Sequence, residues 1–292
     1  MNGISRTLCL FGAFALGGLF PGMGQFAFLI QYIVVYMLFQ AYLGMPIDGN
    51  PLRRKHLWLV LANIALGFGP YFLLKPFSHD YALLAFMSGI IPSAIAVPVI
   101  IAMIHRDVAF AATSVLATNL TMAFVIPLTL PFLVGDHIQI EIGAFAIKVV
   151  SVLVGPLVVA FAIRILSPVA TKQLKKLNKL TFFIWIMAIW IAVAKAVLYL
   201  KGQDDESTQR LLVSAGIVSI ICFLSFLVGH LIGGKEFNRE ASQSLGQKNV
   251  MLSIWISLTY LNPFIAMGPT FYILFHHLYN GWILLRHSEK KS

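Results

Sequence analysis

The sequence predicts an all-α membrane protein of ten transmembrane helices, arranged as two inverted repeats of five, with helices four and nine broken and crossing. Three observations predict it. Of 292 residues, 59% are hydrophobic and only 11% are charged, where a soluble chain carries roughly a quarter charged residues. Ten apolar stretches follow one another through short charged links, each close to the roughly 20 residues that a bilayer crossing needs. The fourth and ninth stretches are interrupted, and they hold corresponding places in the two sets of five.

The ten segments read 4–20, 24–44, 57–75, 81–104, 108–134, 140–166, 178–200, 210–233, 238–260 and 264–286. The first two are separated by Pro21-Gly22, and the second ends before the turn-forming Pro46 and Pro51. Lys75-Pro76 closes the third, and Arg106-Asp107 divides the fourth from the fifth. Gly135-Asp136 and Ser167-Pro168 bound the sixth. A basic link leads into the seventh, an acidic one into the eighth, and Gly233-Gly234 and Asn262-Pro263 mark the last two junctions. Arg6 followed by an apolar run and Ala13-Phe14-Ala15 also resembles a signal peptide. The apolar run before that point is short and continues past it, so a retained first helix is expected.

Lys and Arg set the orientation. Arg6, Arg53, Arg54, Lys55, Arg106, Lys172, Lys175, Lys176, Lys179, Lys235, Arg239, Arg286, Lys290 and Lys291 all fall on one side of a ten-helix layout. The other side has Lys75, Lys201 and Arg210, with Asp80, Asp136, Glu141, Asp204, Asp205 and Glu206. Both termini are therefore expected in the cytoplasm. The net charge of +10 then reflects membrane topology, and nucleic acid is not an expected partner. Trp58 and Trp282 near the inner ends, and Tyr81, Tyr199 and Tyr260 near the outer ends, fit an interfacial aromatic belt.

The fourth segment reads Ile91-Pro92-Ser93-Ala94-Ile95-Ala96-Val97-Pro98. Each proline removes a backbone donor and crowds the preceding turn, so the helix is expected to unwind there. The ninth carries Ser244-Leu245-Gly246-Gln247-Lys248-Asn249, a polar break with a lysine inside it. Lipid offers nothing to an unpaired backbone group or an ammonium, so such a break must be buried in protein or lie beside a water-filled cavity. Paired interruptions point to an inverted-repeat transporter with a midplane site. Half-helices that begin at a break offer N–H groups to an anion, and those that end there offer carbonyls to a cation.

The residues expected to line that site are Ser93, Pro98, Asn119, Gln247, Lys248, Asn249 and His276. Thr118 and Thr121 accompany Asn119 in the fifth segment and are equally suited to packing bonds. His230 reads as structural, and Lys148 and Lys195 as snorkelling or structural lysines. Cys9 and Cys222 lie in apolar segments, which gives neither a disulfide framework nor a metal cluster. No nucleophile constellation, catalytic carboxylate pair or phosphate-binding loop is present, so a membrane enzyme is not expected.

The run from Ile91-Pro92 through Arg106-Asp107-Val108-Ala109 to Ile126-Pro127 resembles the bile acid:sodium symporter family, in its bacterial form. So do Gly246-Gln247-Lys248-Asn249, Leu252, Tyr260-Leu261-Asn262-Pro263 and Phe275-His276-His277-Leu278. The resemblance extends over essentially the whole chain as a pattern. It implies a panel domain (1–44 and 140–200), a core domain (57–134 and 210–286) and a bacterial inner membrane. The substrate it implies is a small organic anion, bile-acid-like or a carboxylate, carried by alternating access. Auxin-efflux carriers share that general architecture, and a carrier-like sensor would look similar in the membrane.

The departures from the family pattern concern sodium. Ser244 stands where sodium-coupled members have glutamate, and Lys248 where they have glutamine. Their Ser-Asn pair falls on Val97 and Pro98, and their hydroxyl ligands on Ala111 and Val115. No cofactor is expected, and sodium lacks its usual oxygen ligands. Lys248 is expected to supply the positive charge that sodium supplies elsewhere, for an anionic substrate or for proton exchange. A sodium symporter with rearranged ligands is the alternative.

Overall fold

The computed structural model describes residues 3–45, 52–135, 140–201 and 207–288, with side chains from residue 8 to residue 283 inside those ranges except at residue 207. Asp136, Asp204, Asp205, Glu206, Lys290 and Lys291 lie outside the described residues, as do the side chains of Arg6 and Arg286.

Helices make up almost all of the described chain, and no strand is found among the described residues. In order they are α1 (Gly3–Leu19), α2 (Leu29–Gly44), α3 (Arg54–Leu74), α4 (His79–Gly89), α5 (Val97–Met103), α6 (Val108–Val134), α7 (Ile142–Leu166), α8 (Pro168–Lys175), α9 (Asn178–Leu200), α10 (Ser207–Gly246), α11 (Val250–Tyr260) and α12 (Pro263–Ser288). Six stretches among the described residues are long and apolar enough to cross a membrane: Pro21–Gly44, Arg54–Leu74, Val108–Val134, Ile142–Leu166, Asn178–Leu200 and Thr208–Gly246. The chain is therefore a helical membrane protein.

Local chemistry sets several helix starts. The carboxylate of Asp107 accepts the Phe110 N–H at 2.9 Å and caps α6. Glu141 accepts the Gly143 N–H at 2.9 Å at the head of α7. His56 Nδ1 accepts the Arg53 N–H at 2.9 Å and closes the first turn of α3.

Three features differ from the sequence expectation. The second segment opens as a 3-10 helix, Pro21–Phe28, before α2. The basic link after the sixth segment holds α8, started by Pro168 and the Ser167 cap. In the fourth segment only Pro92 lies in unwound chain. Pro98 occupies the first turn of α5, where a missing N–H leaves no helical bond unmade.

α10 contains a reversal. Gly234 takes φ 60° and ψ −151°, a conformation open to glycine because it has no side chain. The two limbs then fold together, and Ser242 donates its hydroxyl to the Phe226 carbonyl at 2.8 Å. The eighth segment and the first half of the ninth thus form one helical hairpin.

The helices fall into two contacting sets. α1, the 3-10 helix, α2, α7 and α9 pack together, and α3, α4, α5, α6, α10, α11 and α12 pack together. Between the sets, α6 meets α7, α11 meets α2, and α12 meets α9 and α1. Residues of both sets join one continuous buried apolar core, from Leu10 and Ile30 to Leu252 and Ile273.

Candidate functional site

The two interrupted segments meet at their breaks. Ser93 and Lys248 form an isolated antiparallel bridge. Ala94 donates its N–H to the Gln247 carbonyl at 2.8 Å, and Asn249 donates its own to the Pro92 carbonyl at 2.9 Å. Backbone freed by each break is thereby satisfied by the other, which an apolar surrounding demands.

Side chains complete the junction. Ser93 donates its hydroxyl to the Ser244 carbonyl. Asn119, on α6, donates to the carbonyls of Ser93 at 3.0 Å and Val115 at 2.9 Å. Thr118 accepts the Ser93 N–H at 3.3 Å. Tyr272, on α12, donates its hydroxyl to the Gly246 carbonyl at 2.9 Å.

An α-helix leaves its last carbonyls without helical partners. At the end of α4, Ser253 donates to Met87 at 2.6 Å, and Asn63 donates to Ile90 at 2.7 Å. Lys248 reaches the same place. Its side chain is only 1% exposed, and Nζ donates to the Gly89 carbonyl at 2.8 Å and to Asn63 Oδ1. The ion pairs among the described residues are Arg53–Glu236, Lys55–Glu236, Arg106–Glu240 and Arg210–Asp80, and none includes Lys248. Nζ meets a helix C-terminus, which carries roughly half a negative charge, and an amide oxygen.

Gln247, next to Lys248 in the chain, reaches a different helix. Gln247 donates to Asn280 Oδ1 on α12 at 2.6 Å. His276 lies one turn before Asn280 and one turn after Tyr272, on the same helix face. It is buried, and its Nδ1 has no hydrogen-bond partner among the described residues. Gln243, one turn before Gln247, is buried with both amide atoms unpartnered among the described residues.

Of the seven residues expected at the site, Ser93, Asn119, Gln247, Lys248 and Asn249 come together at the bridge. Asn249 is half-buried at the start of α11, and its side chain forms no cap bond. With Ala94, Ile95 and Ala96 it is the part of the junction that reaches the surface. Pro98 lies away from the bridge in the first turn of α5, and the α12 residues one turn either side of His276, Tyr272 and Asn280, bond Gly246 and Gln247. Thr121 bonds the Ala117 carbonyl within its own helix. Lys148 is exposed near the start of α7, and Lys195 is half-buried near the end of α9.

Sequence reasoning missed Asn63, Gln243, Tyr272 and Asn280. Asn63 had a signal, since it is an amide in the middle of the apolar third segment. Glu240 was missed as well. It is 2% exposed, pairs with Arg106 Nε at 3.2 Å and accepts the Asp107 N–H at 3.1 Å. It fastens the α10 hairpin to the α5–α6 turn. Beside it, Phe237 stacks on Phe110 at 4.4 Å, with the Arg53 guanidinium 4.6 Å from its ring.

No protein-family model matches the chain, and no curated protein matches it.

Proposed function

We propose that this chain is a secondary carrier of a small organic anion, bile-acid-like or a carboxylate, working by alternating access as in the bile acid:sodium symporter family. The observation that carries this reading is the reciprocal bonding of the two breaks, Ala94 to Gln247 and Asn249 to Pro92. Paired interruptions of two apolar segments that meet one another support a midplane transport site. The ten segments are read as two inverted sets of five, with both termini cytoplasmic in a bacterial inner membrane.

The set built on α1, α2, α7 and α9 is read as the panel, and the remainder as the core. The core rocks or slides against the panel through the α2–α11 and α9–α12 contacts. Asn249 offers the anion its side-chain amide at the start of α11, beside the part-exposed chain at Ala94–Ala96. Lys248 supplies a fixed positive charge close behind them. Transport is independent of sodium, or proton-linked, because the oxygen ligands of sodium-coupled relatives are replaced here by Ser244, Lys248, Val97, Pro98, Ala111 and Val115.

Uptake of carboxylates and sulfonates into proteoliposomes, with sodium and pH gradients imposed separately, tests the reading. Saturable uptake of one anion class that persists when potassium replaces sodium is expected. Strong sodium dependence would overturn the coupling, and binding without flux would make the protein a sensor. Lys248→Gln is expected to lower uptake on the order of tenfold, the equivalent of about 1.4 kcal/mol. Unchanged uptake would remove Lys248 from the mechanism.

A further inference from the structure

The two half-helices that end at the junction are finished in different ways. The last carbonyl of α10, on Gly246, receives a neutral hydroxyl from Tyr272 at 2.9 Å. The end of α4 receives a lysine side chain. Lys248 Nζ sits between the Gly89 carbonyl and Asn63 Oδ1, and Asn63 is held there by its own donation to Ile90. Ser253 fixes the Met87 carbonyl, two residues before Gly89, from the far half of the ninth segment.

This arrangement has the chemistry of a cation site. Two neutral oxygens converge on one point, and the C-terminal end of a helix adds partial negative charge. No carboxylate pairs with Nζ among the described residues. A divalent ion, which prefers several carboxylate and carbonyl oxygens, is poorly matched to such a set. A single positive charge with N–H donors is well matched.

We propose that Asn63 Oδ1 and the Gly89 carbonyl form a monovalent-cation niche whose occupant is the chain's own Lys248 ammonium. The cation that holds the crossing together is carried covalently, so none is drawn from solution. This deepens the carrier reading given above, but it concerns cation binding in the resting protein and can be measured without any substrate. Removing the lysine amine should open the niche to small ammonium or alkali ions.

The test uses the full chain in detergent, read by melting temperature, because a bound ion stabilises the folded state by mass action. Lys248→Ala is expected to melt several degrees below the wild type. Ammonium or methylammonium chloride should restore part of that loss, while choline chloride at equal ionic strength should not. Asn63→Leu combined with Lys248→Ala should show no such selectivity. Equal responses to ammonium and choline would overturn the niche. The wild type gives a second measurement should Lys248→Ala not fold: its melting temperature is expected to be the same in sodium, potassium and choline chloride. A sodium-specific rise in the wild type would mean that a free ion binds, and would overturn the proposal. Failure of organic-anion uptake would leave these readouts unchanged.

Discussion

Lys248 donates to the Gly89 carbonyl at 2.8 Å, across a separation of 159 residues. The bond ties the break of the ninth segment to the end of α4. With the Ser93–Lys248 bridge beside it, each interrupted segment is completed by the other. Changes at the junction should therefore act on both segments together.

Asn63 offers a direct measure of that coupling. It accepts from Lys248 and donates to the Ile90 carbonyl. Asn63→Leu leaves a buried ammonium short of one partner and a buried carbonyl short of another. A loss on the order of 3 kcal/mol or more is expected. Ser253→Ala removes a single bond to Met87 and should cost about 1 kcal/mol. Thermal unfolding of the two variants in the same detergent compares them, and equal losses would mean that Lys248 is not held through Asn63.

Gly246 packs against a rigid surface. A β-carbon there would collide with three atoms of the Phe226 ring, Cδ1, Cε1 and Cγ. An aromatic ring cannot fold away as a flexible side chain can, and this one is also in contact with Tyr279, 3.9 Å between ring centres. Gly246→Ala is expected to destabilise by about 1–3 kcal/mol. Adding Phe226→Leu should return part of the loss, and a double variant worse than the sum of the two would refute the packing explanation.

The ion pairs at the two ends of the core should differ in strength. Glu240 is buried and serves both Arg106 and the Asp107 N–H. Glu240→Ala should cost about 2–4 kcal/mol, because a backbone donor loses its acceptor along with the charge pair. Arg106→Ala leaves the buried Glu240 carboxylate with only the Asp107 N–H and should cost a similar amount. Asp80 and Arg210 are 44% and 31% exposed, and Asp80→Ala should cost under about 1 kcal/mol. Melting curves at low and high salt separate the cases: the Asp80 effect fades with salt and the Glu240 effect persists.

Orientation can be read chemically. Lys176 and Lys201 are both exposed and lie at opposite ends of α9. In a chain whose native Cys9 and Cys222 are replaced by serine and alanine, Lys201→Cys should react with an impermeant maleimide added outside intact cells. Lys176→Cys should react only after the membrane is opened. The reverse pattern would overturn the expected placement of the termini.

Much of the fold was legible because bilayer physics simplifies the code. Low charge and long apolar runs gave the helical segments, and α6 matches the expected 108–134 stretch. Gly233-Gly234 marked the α10 reversal because few other residues adopt φ near 60°. The 3-10 opening of the second segment was not legible, since apolar periodicity does not separate it from an α-helix. Pro98 misled for a positional reason: a proline breaks a helix from within but starts one at its first turn.

The candidate site divides in the same way. Ser93, Gln247, Lys248 and Asn249 could be picked out because polar groups in an apolar run must be satisfied somewhere. Which partner satisfies each one is a long-range matter. Nothing in the local sequence of Asn63 connects it to Lys248, and nothing in Tyr272 connects it to Gly246. Glu240 falls at the start of the ninth segment, and only the hairpin brings it to Arg106.

The sequence by itself determined that this is a helical membrane protein with two interruptions that lipid could not tolerate unaided, because the cost of an unpaired polar group in hydrocarbon depends only on residue type and depth. The tertiary structure decided where those groups find partners. It bonded the breaks to each other, sent Gln247 toward α12, and turned Lys248 onto the end of α4. Such pairings follow from which helices are neighbours, and neighbours are set by packing over the whole chain.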